Sequence, residues 1–234
     1  MKHLIWIVIG TVWVVGGHEV TAAPEPELAP RSWQFEFEAA VPRPIAVQDV
    51  DGQFRWYWFV AYKVVNRTGR DNQFLPKITI ATDQGDIVEA NRHVPTRVFA
   101  AIKQQLGNRL LASPIKVVGK LNQGPDHGKE SVAIWPAFAR DVDAVDIFVS
   151  GLSGETAQVL DPRTGEPVMD PASLKPLTDP RSGGPVLDAT GKPLIKPRPL
   201  LLRKTLMIHY QMPGTDVQPG RQTIVPSARR WVMR

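Results

Sequence analysis

An all-β sandwich is the fold this sequence predicts, and three observations predict it. The chain of 234 residues holds 22 prolines and 18 glycines, too many helix breakers for a helical bundle. Its apolar stretches are short, rich in aromatic and β-branched residues, and separated by turn sequences, which is the pattern of many short strands. At 43% hydrophobic and 22% charged residues, the composition is that of a globular chain with a core, neither disordered nor fibrous. The length suits one large domain or two small ones, and residues 33–234 read as a single one.

In chain order, residues 1–22 read as an export signal. Lys2 and His3 precede an apolar run from Leu4 to Val15, and Val20-Thr21-Ala22 fits a small-residue cleavage site. Cutting between Ala22 and Ala23 is expected. The alternative is a retained anchor, but twelve residues of helix reach only ~18 Å against a ~30 Å hydrocarbon core. The mature chain is then expected to be periplasmic or extracellular, with no transmembrane segment.

Residues 23–32 form a proline-rich, acidic stub, expected to be extended and mobile. Trp33 to Phe37 alternates apolar and polar residues like a half-buried strand. Arg55 to Asn66 (R-W-Y-W-F-V-A-Y-K-V-V-N) carries the strongest strand signal and suits a central strand covered on both faces. Asn66 to Asp71 ends it with turn chemistry. Asn66-Arg67-Thr68 also matches a glycosylation sequon, but a turn is the expected role. Phe74 to Thr82 and Ile87-Val88, joined by Asp83-Gln84-Gly85-Asp86, read as a hairpin.

One helix is predicted from Pro95 to Leu106, where Val98, Ile102 and Leu106 recur every four residues before a stop at Gly107. Strands are predicted at Ile115–Val118, Ser131–Phe138, Ala144–Ser150, Leu200–Met212 and Trp231–Met233. Residues 155–199 read as a proline- and glycine-rich insertion between two neighbouring strands. In it a turn unit recurs three times, from Leu160 to Val168, Thr178 to Val186 and Leu187 to Leu194. Each unit has an Asp to start the turn, a Gly for positive φ and a Pro after it. Such a segment either builds small turns or stays loosely packed. Together these elements give immunoglobulin-like proportions: many short strands, one short helix and one long insertion.

Charge is uneven along the chain. Lys192 to Arg234 holds nine Lys or Arg and one acid (Asp216), a net +8, whereas Ala23 to Gly191 holds 18 bases and 21 acids, a net −3. Arg203, Lys204, Arg229 and Arg230 are therefore candidates for docking an anionic envelope component or glycan. A solvated sheet face with cations guarding an edge strand is the alternative. Nucleic acid is not the expected partner. With no cysteine, neither disulfides nor thiolate metal sites are available.

Several stretches carry a resemblance. Trp56 to Asp71 (W-Y-W-F-V-A-Y-K-V-V-N-R-T-G-R-D), Val132 to Trp135, Val149 to Gly154 and Arg203 to Leu206 followed by Met212-Pro213-Gly214 resemble an uncharacterised family. Its members are exported bacterial proteins common in planctomycete-type genomes. The resemblance runs from about Trp56 to Arg234 and fits least in the insertion. It implies export and a sandwich, and it implies no activity and no site residues.

Catalytic signatures are sparse. There is no H-E-x-x-H, G-x-S-x-G, P-loop or G-x-G-x-x-G, and no cofactor is expected. Ser150 to Glu155 has the look of a nucleophile elbow, but its glycines are misplaced and a turn is the better reading. A hydrolase would have to assemble its site by folding from Ser153, His127, His209 and Asp143. Asp141, Asp143 and Asp146 offer weak oxygen-ligand spacing for Ca²⁺, without the glycine and distal glutamate of an EF-hand. Trp56 and Trp58 share one strand face. They either fill the core or, if exposed, form a stacking platform for sugars. The expectation is a non-enzymatic exported binding or structural module of the envelope, with glycan binding as the main alternative.

Overall fold

The computed structural model describes residues 24–27, 32–138, 142–212 and 224–234. The expected signal, its cleavage point and Asp141 lie outside the described residues. In chain order the elements are β1 (Glu36–Ala39), β2 (Arg43–Gln48), β3 (Phe54–Asn66), β4 (Asn72–Phe74), β5 (Lys77–Thr82), β6 (Ile87–Glu89) and the helices α1 (Thr96–Leu106) and α2 (Pro114–Val117). They continue with β7 (Gly119–Leu121), β8 (Gly124–Pro136), β9 (Ala144–Ser150), β10 (Thr156–Gln158), β11 (Leu201–Gln211) and β12 (Val225–Met233).

The fold is an all-β sandwich of two antiparallel sheets. In the first, β3 is central: β1 and β2 follow one another along one edge, and β8 runs along the other. In the second, β11 lies between β9 and β12, with β5 and β6 beyond β9 and β10 paired to the outer end of β11. A small ladder of β4 and β7 stands apart.

Alternation along β3 explains why its sequence is apolar on both sides. Val60, Tyr62 and Val64 face the second sheet and pack with Phe37, Trp135, Ile80, Ile147, Leu206 and Ile208. Tyr57 and Phe59 face the other way, onto Val98 and Ile102 of α1 and Ile134 of β8. A strand covered on both faces has no polar side to show. The helix is placed as its four-residue spacing predicts, with Val98 and Ile102 buried and Gly107 capping it in the left-handed conformation.

Strands β2, β7 and β10 fall where the sequence pattern shows none and β1 begins later than expected; four further boundaries differ, each for a physical reason. Residues 114–117 form a helical turn instead of a strand. Pro114 sits in the first turn and the Ser113 hydroxyl accepts the Lys116 amide, which is N-cap chemistry. The stretch from Phe74 to Thr82 breaks at Leu75-Pro76, so β4 pairs with β7 while β5 makes the hairpin with β6. Proline lacks the amide a ladder needs. Both β8 and β12 are longer than expected. Polar residues at their starts pair through the backbone, which hydropathy does not register: Lys129 and Glu130 lie opposite Val64 and Lys63, and Arg229 and Arg230 opposite Ile208 and Met207.

Between β10 and β11 the chain is built from turns. Asp161, Asp179 and Asp188 each accept the backbone amide two residues on, from Arg163, Arg181 and Thr190. Gly165, Gly183 and Gly191 supply the positive φ. Short bridges close each unit, Leu160 to Pro167, Thr178 to Pro185 and Leu187 to Pro193. Of the two readings of this segment, the turns are what the structure contains, largely exposed.

Candidate functional site

The most distinctive surface is the free end of the first sheet. The β2–β3 hairpin turns at Asp49 to Gln53, closed by the Asp49 amide on the Gln53 carbonyl at 2.6 Å. The Asp49 carboxylate accepts the Val50 amide and pairs with Arg97 of α1 and Arg55 of β3. The Val50 hydrogen bond first, then the two guanidinium groups, hold its pKa below the ordinary value. The hairpin is thereby tied to the helix that covers its other face.

From this anchor Phe54, Trp56 and Trp58 project on one side of β3, because alternate residues of a strand share a face. Phe54 is 67% exposed and Trp56 49%. Trp58 is half-buried and stacks on Phe138, with ring centroids 5.7 Å apart and planes 10° apart. Across the ladder stand Gln48, Ala46 and Pro44 in register with Phe54, Trp56 and Trp58. Ala46 and Pro44 rise little above the sheet. The result is an aromatic strip at the end of a strand whose next inward residue, Val60, is core. Of the two readings of these tryptophans, Trp56 follows the exposed one and Trp58 lies between. Phe54 and Phe138 were missed, although counting back by two from Trp56 points to Phe54.

The basic residues separate. Lys204 is 1% exposed, and its Nζ meets Glu155 Oε2 at 2.9 Å and the Glu27 carbonyl at 2.9 Å. It also lies 5.5 Å from the centre of the Trp231 ring. Its expected role in docking an anionic partner is therefore wrong: even-numbered positions of β11 face the core, and this ammonium is already paired there. Glu27 belongs to the stub expected to be mobile, yet its amide also donates to Glu155 Oε1 at 3.0 Å. Arg229 lies opposite Ile208 on the inward side and donates to the Phe37 carbonyl of the facing sheet at 2.5 Å. Arg203 and Arg230 are exposed on the outer face.

The candidate hydrolase residues are not assembled. Ser153 is buried and its hydroxyl accepts the Glu155 amide at 3.1 Å. The surrounding S-G-L-S-G is a crossing point: a Cβ on Gly151 would stand 2.3 Å from the Leu75 carbonyl oxygen, and one on Gly154 2.4 Å from the Trp33 ring nitrogen. His209 pairs with Asp146, not Asp143, Nδ1 to Oδ1 at 2.7 Å, and the residues beside them in register are Ala81 and Ala228. His127 lies on β8 in the other sheet. The Asp143 amide donates to Asp83. Among the described residues no three His, Asp or Glu side chains converge as a metal site would require.

The sequon asparagine is wholly buried. Asn66 Nδ2 donates to the Arg70 and Leu121 carbonyls, both at 2.8 Å, while its Oδ1 accepts from Thr68. Both amide hydrogens are committed, so Asn66 staples the turn, as expected. No helix among the described residues is long and apolar enough to cross a membrane.

Comparison with family models, with curated proteins and with solved structures finds no match to this chain.

Proposed function

We propose that this chain is an exported, non-catalytic binding module whose aromatic strip takes the flat faces of neutral sugar rings. One observation carries the reading. Trp56 stands half-exposed between Phe54 and Trp58 on a single strand face, where burial would be the rule for a large apolar side chain. Aromatic rings whose apolar faces meet water are a standing gain for any ligand that covers them. The apolar faces of pyranose rings match such a strip in shape and polarity. Backing is rigid: the Asp49 cluster ties the hairpin to α1, and Phe138 holds Trp58. A platform whose rings are already positioned loses little entropy on binding.

The hydrolase alternative is disfavoured by the engagement of Ser153 with the Glu155 amide and by the pairing of His209 with Asp146 instead of with Ser153. Export is the part of the proposal that rests on the N-terminal sequence. Affinity electrophoresis of the mature chain, from Ala23, through gels containing neutral β-glucans, mannans or galactans tests the binding. We expect retardation by at least one polymer, and Trp56→Ala should restore free mobility. Unretarded migration through the whole panel would remove the sugar-platform reading.

A further inference from the structure

The outer face of the second sheet carries a separate positive surface, sharing no residue with the aromatic strip. Register fixes its members. Arg203, Thr205, Met207 and His209 of β11 lie opposite Arg234, Val232, Arg230 and Ala228 of β12. They all point away from the core that Leu206, Ile208 and Tyr210 fill. Arg203 and Arg234 form a hydrogen-bonded pair, each amide donating to the other's main-chain oxygen at 2.8 and 3.1 Å. The two arginines thus start from neighbouring strands with Cα atoms about 5.5 Å apart, the Arg234 guanidinium reaching across the sheet to lie over Phe148. Like charges placed directly across a ladder repel. Arg230 follows four residues before Arg234 on the same face, about 13 Å along the strand. Among the described residues no carboxylate pairs with any of the three. The nearby acids are taken, Asp146 by His209 and Glu89 by Lys77.

We propose that this face binds a linear acidic polysaccharide, one anionic group gripped by the Arg203–Arg234 pair and a later one by Arg230. A guanidinium offers a planar fork to a carboxylate or sulfate, and an anion between Arg203 and Arg234 relieves their repulsion. The line of charges along a flat sheet suits an extended polymer. Nucleic acid fits less well, because single strands need open aromatic faces for stacking. The one aromatic ring among these residues, Phe148, is covered by the Arg234 guanidinium at 4.1 Å. A bilayer also fits less well: Thr205 and Met207 are buried and Val232 half-buried, leaving no apolar side chain between the arginines to enter it.

Polygalacturonate immobilised on a sensor surface is the probe, with neutral dextran and vesicles of anionic phospholipid as separate arms. The mature chain should bind polygalacturonate and not dextran. Binding should fall steeply as the Debye length shortens from about 30 Å at 0.01 M salt to about 8 Å at 0.15 M. The double variant Arg203→Gln/Arg234→Gln should weaken it about tenfold or more and Arg230→Gln about threefold. Lys63→Gln, which removes one charge from the other sheet, should leave it unchanged. All three variants should keep the wild-type thermal midpoint, since these side chains are exposed. Absence of binding at low salt, equal binding by the double variant, or arginine-dependent binding to vesicles alone would each overturn the assignment.

Discussion

The two sheets are covered unequally, and their exposed surfaces differ accordingly. The first has the second sheet on one face and α1 on the other, so its large aromatic rings meet water where β3 runs past the core, at Phe54 and Trp56. The second is covered on one face only. Its bare side is polar and basic: Arg203, Arg230 and Arg234, with the His209–Asp146 pair beyond them. A strand buried on both sides can lend aromatic rings to the surface only at its end, whereas the half-covered sheet brings Arg203, Arg230 and Arg234 out to water with Thr205 and Met207 buried between them. Exposed aromatic rings and exposed arginines are thereby separated in space.

The sharpest way to break this contrast is at Lys204, the basic residue of β11 that faces inward beside outward-facing Arg203. Lys204→Ala should destabilise the protein by about 3–5 kcal/mol, because it breaks the buried ion pair with Glu155. Lys204→Met combined with Glu155→Gln should recover most of that loss in denaturant unfolding. An equal cost for Arg203→Ala would contradict the inside–outside division. Next in size is the helix cover. Ile102→Ala opens a cavity beneath α1 and should cost about 2–4 kcal/mol, read as a lower urea midpoint at unchanged m-value.

The core between the sheets also predicts a pH response. Burial pushes the Tyr62 hydroxyl up to about 12, against a weaker opposing hydrogen bond from Ser131. The folded state therefore keeps a proton that the unfolded chain releases near pH 10. This contribution is intact below about pH 10 and is lost as pH rises to about 12, on the order of 1–3 kcal/mol. Tyr62→Phe should flatten that part of the urea-midpoint profile. An unchanged alkaline fall would remove Tyr62 as its source.

Much of this arrangement was legible in the sequence. The two-sided apolar pattern of β3, the four-residue period of α1, the Asn66 turn and the alternation in β11 all reflect burial, which hydropathy records. Elements joined by backbone alone were not legible, such as the polar starts of β8 and β12 or the turn at Pro114. The fate of individual cations was hidden for another reason. Lys204 occupies an inward position by strand parity, but only the fold brings Glu155 and the Glu27 carbonyl to it from 49 and 177 residues away. Similarly, nothing local distinguishes the exposed Trp56 from the fully buried Trp135. What separates them is where the facing sheet stops.

The smallest effect on stability should accompany the largest on function. Trp56→Ala should change stability by less than about 1 kcal/mol, as for a surface position outside the core. The most direct test is iodide quenching of tryptophan fluorescence, comparing the wild type with Trp56→Phe, before and after adding the neutral polysaccharide that retards the wild-type protein. The aromatic-strip account predicts a quenchable component that is absent in Trp56→Phe and becomes shielded in the wild type when the polysaccharide is bound. Quenching identical in the two proteins, or unaffected by the bound polymer, would contradict it.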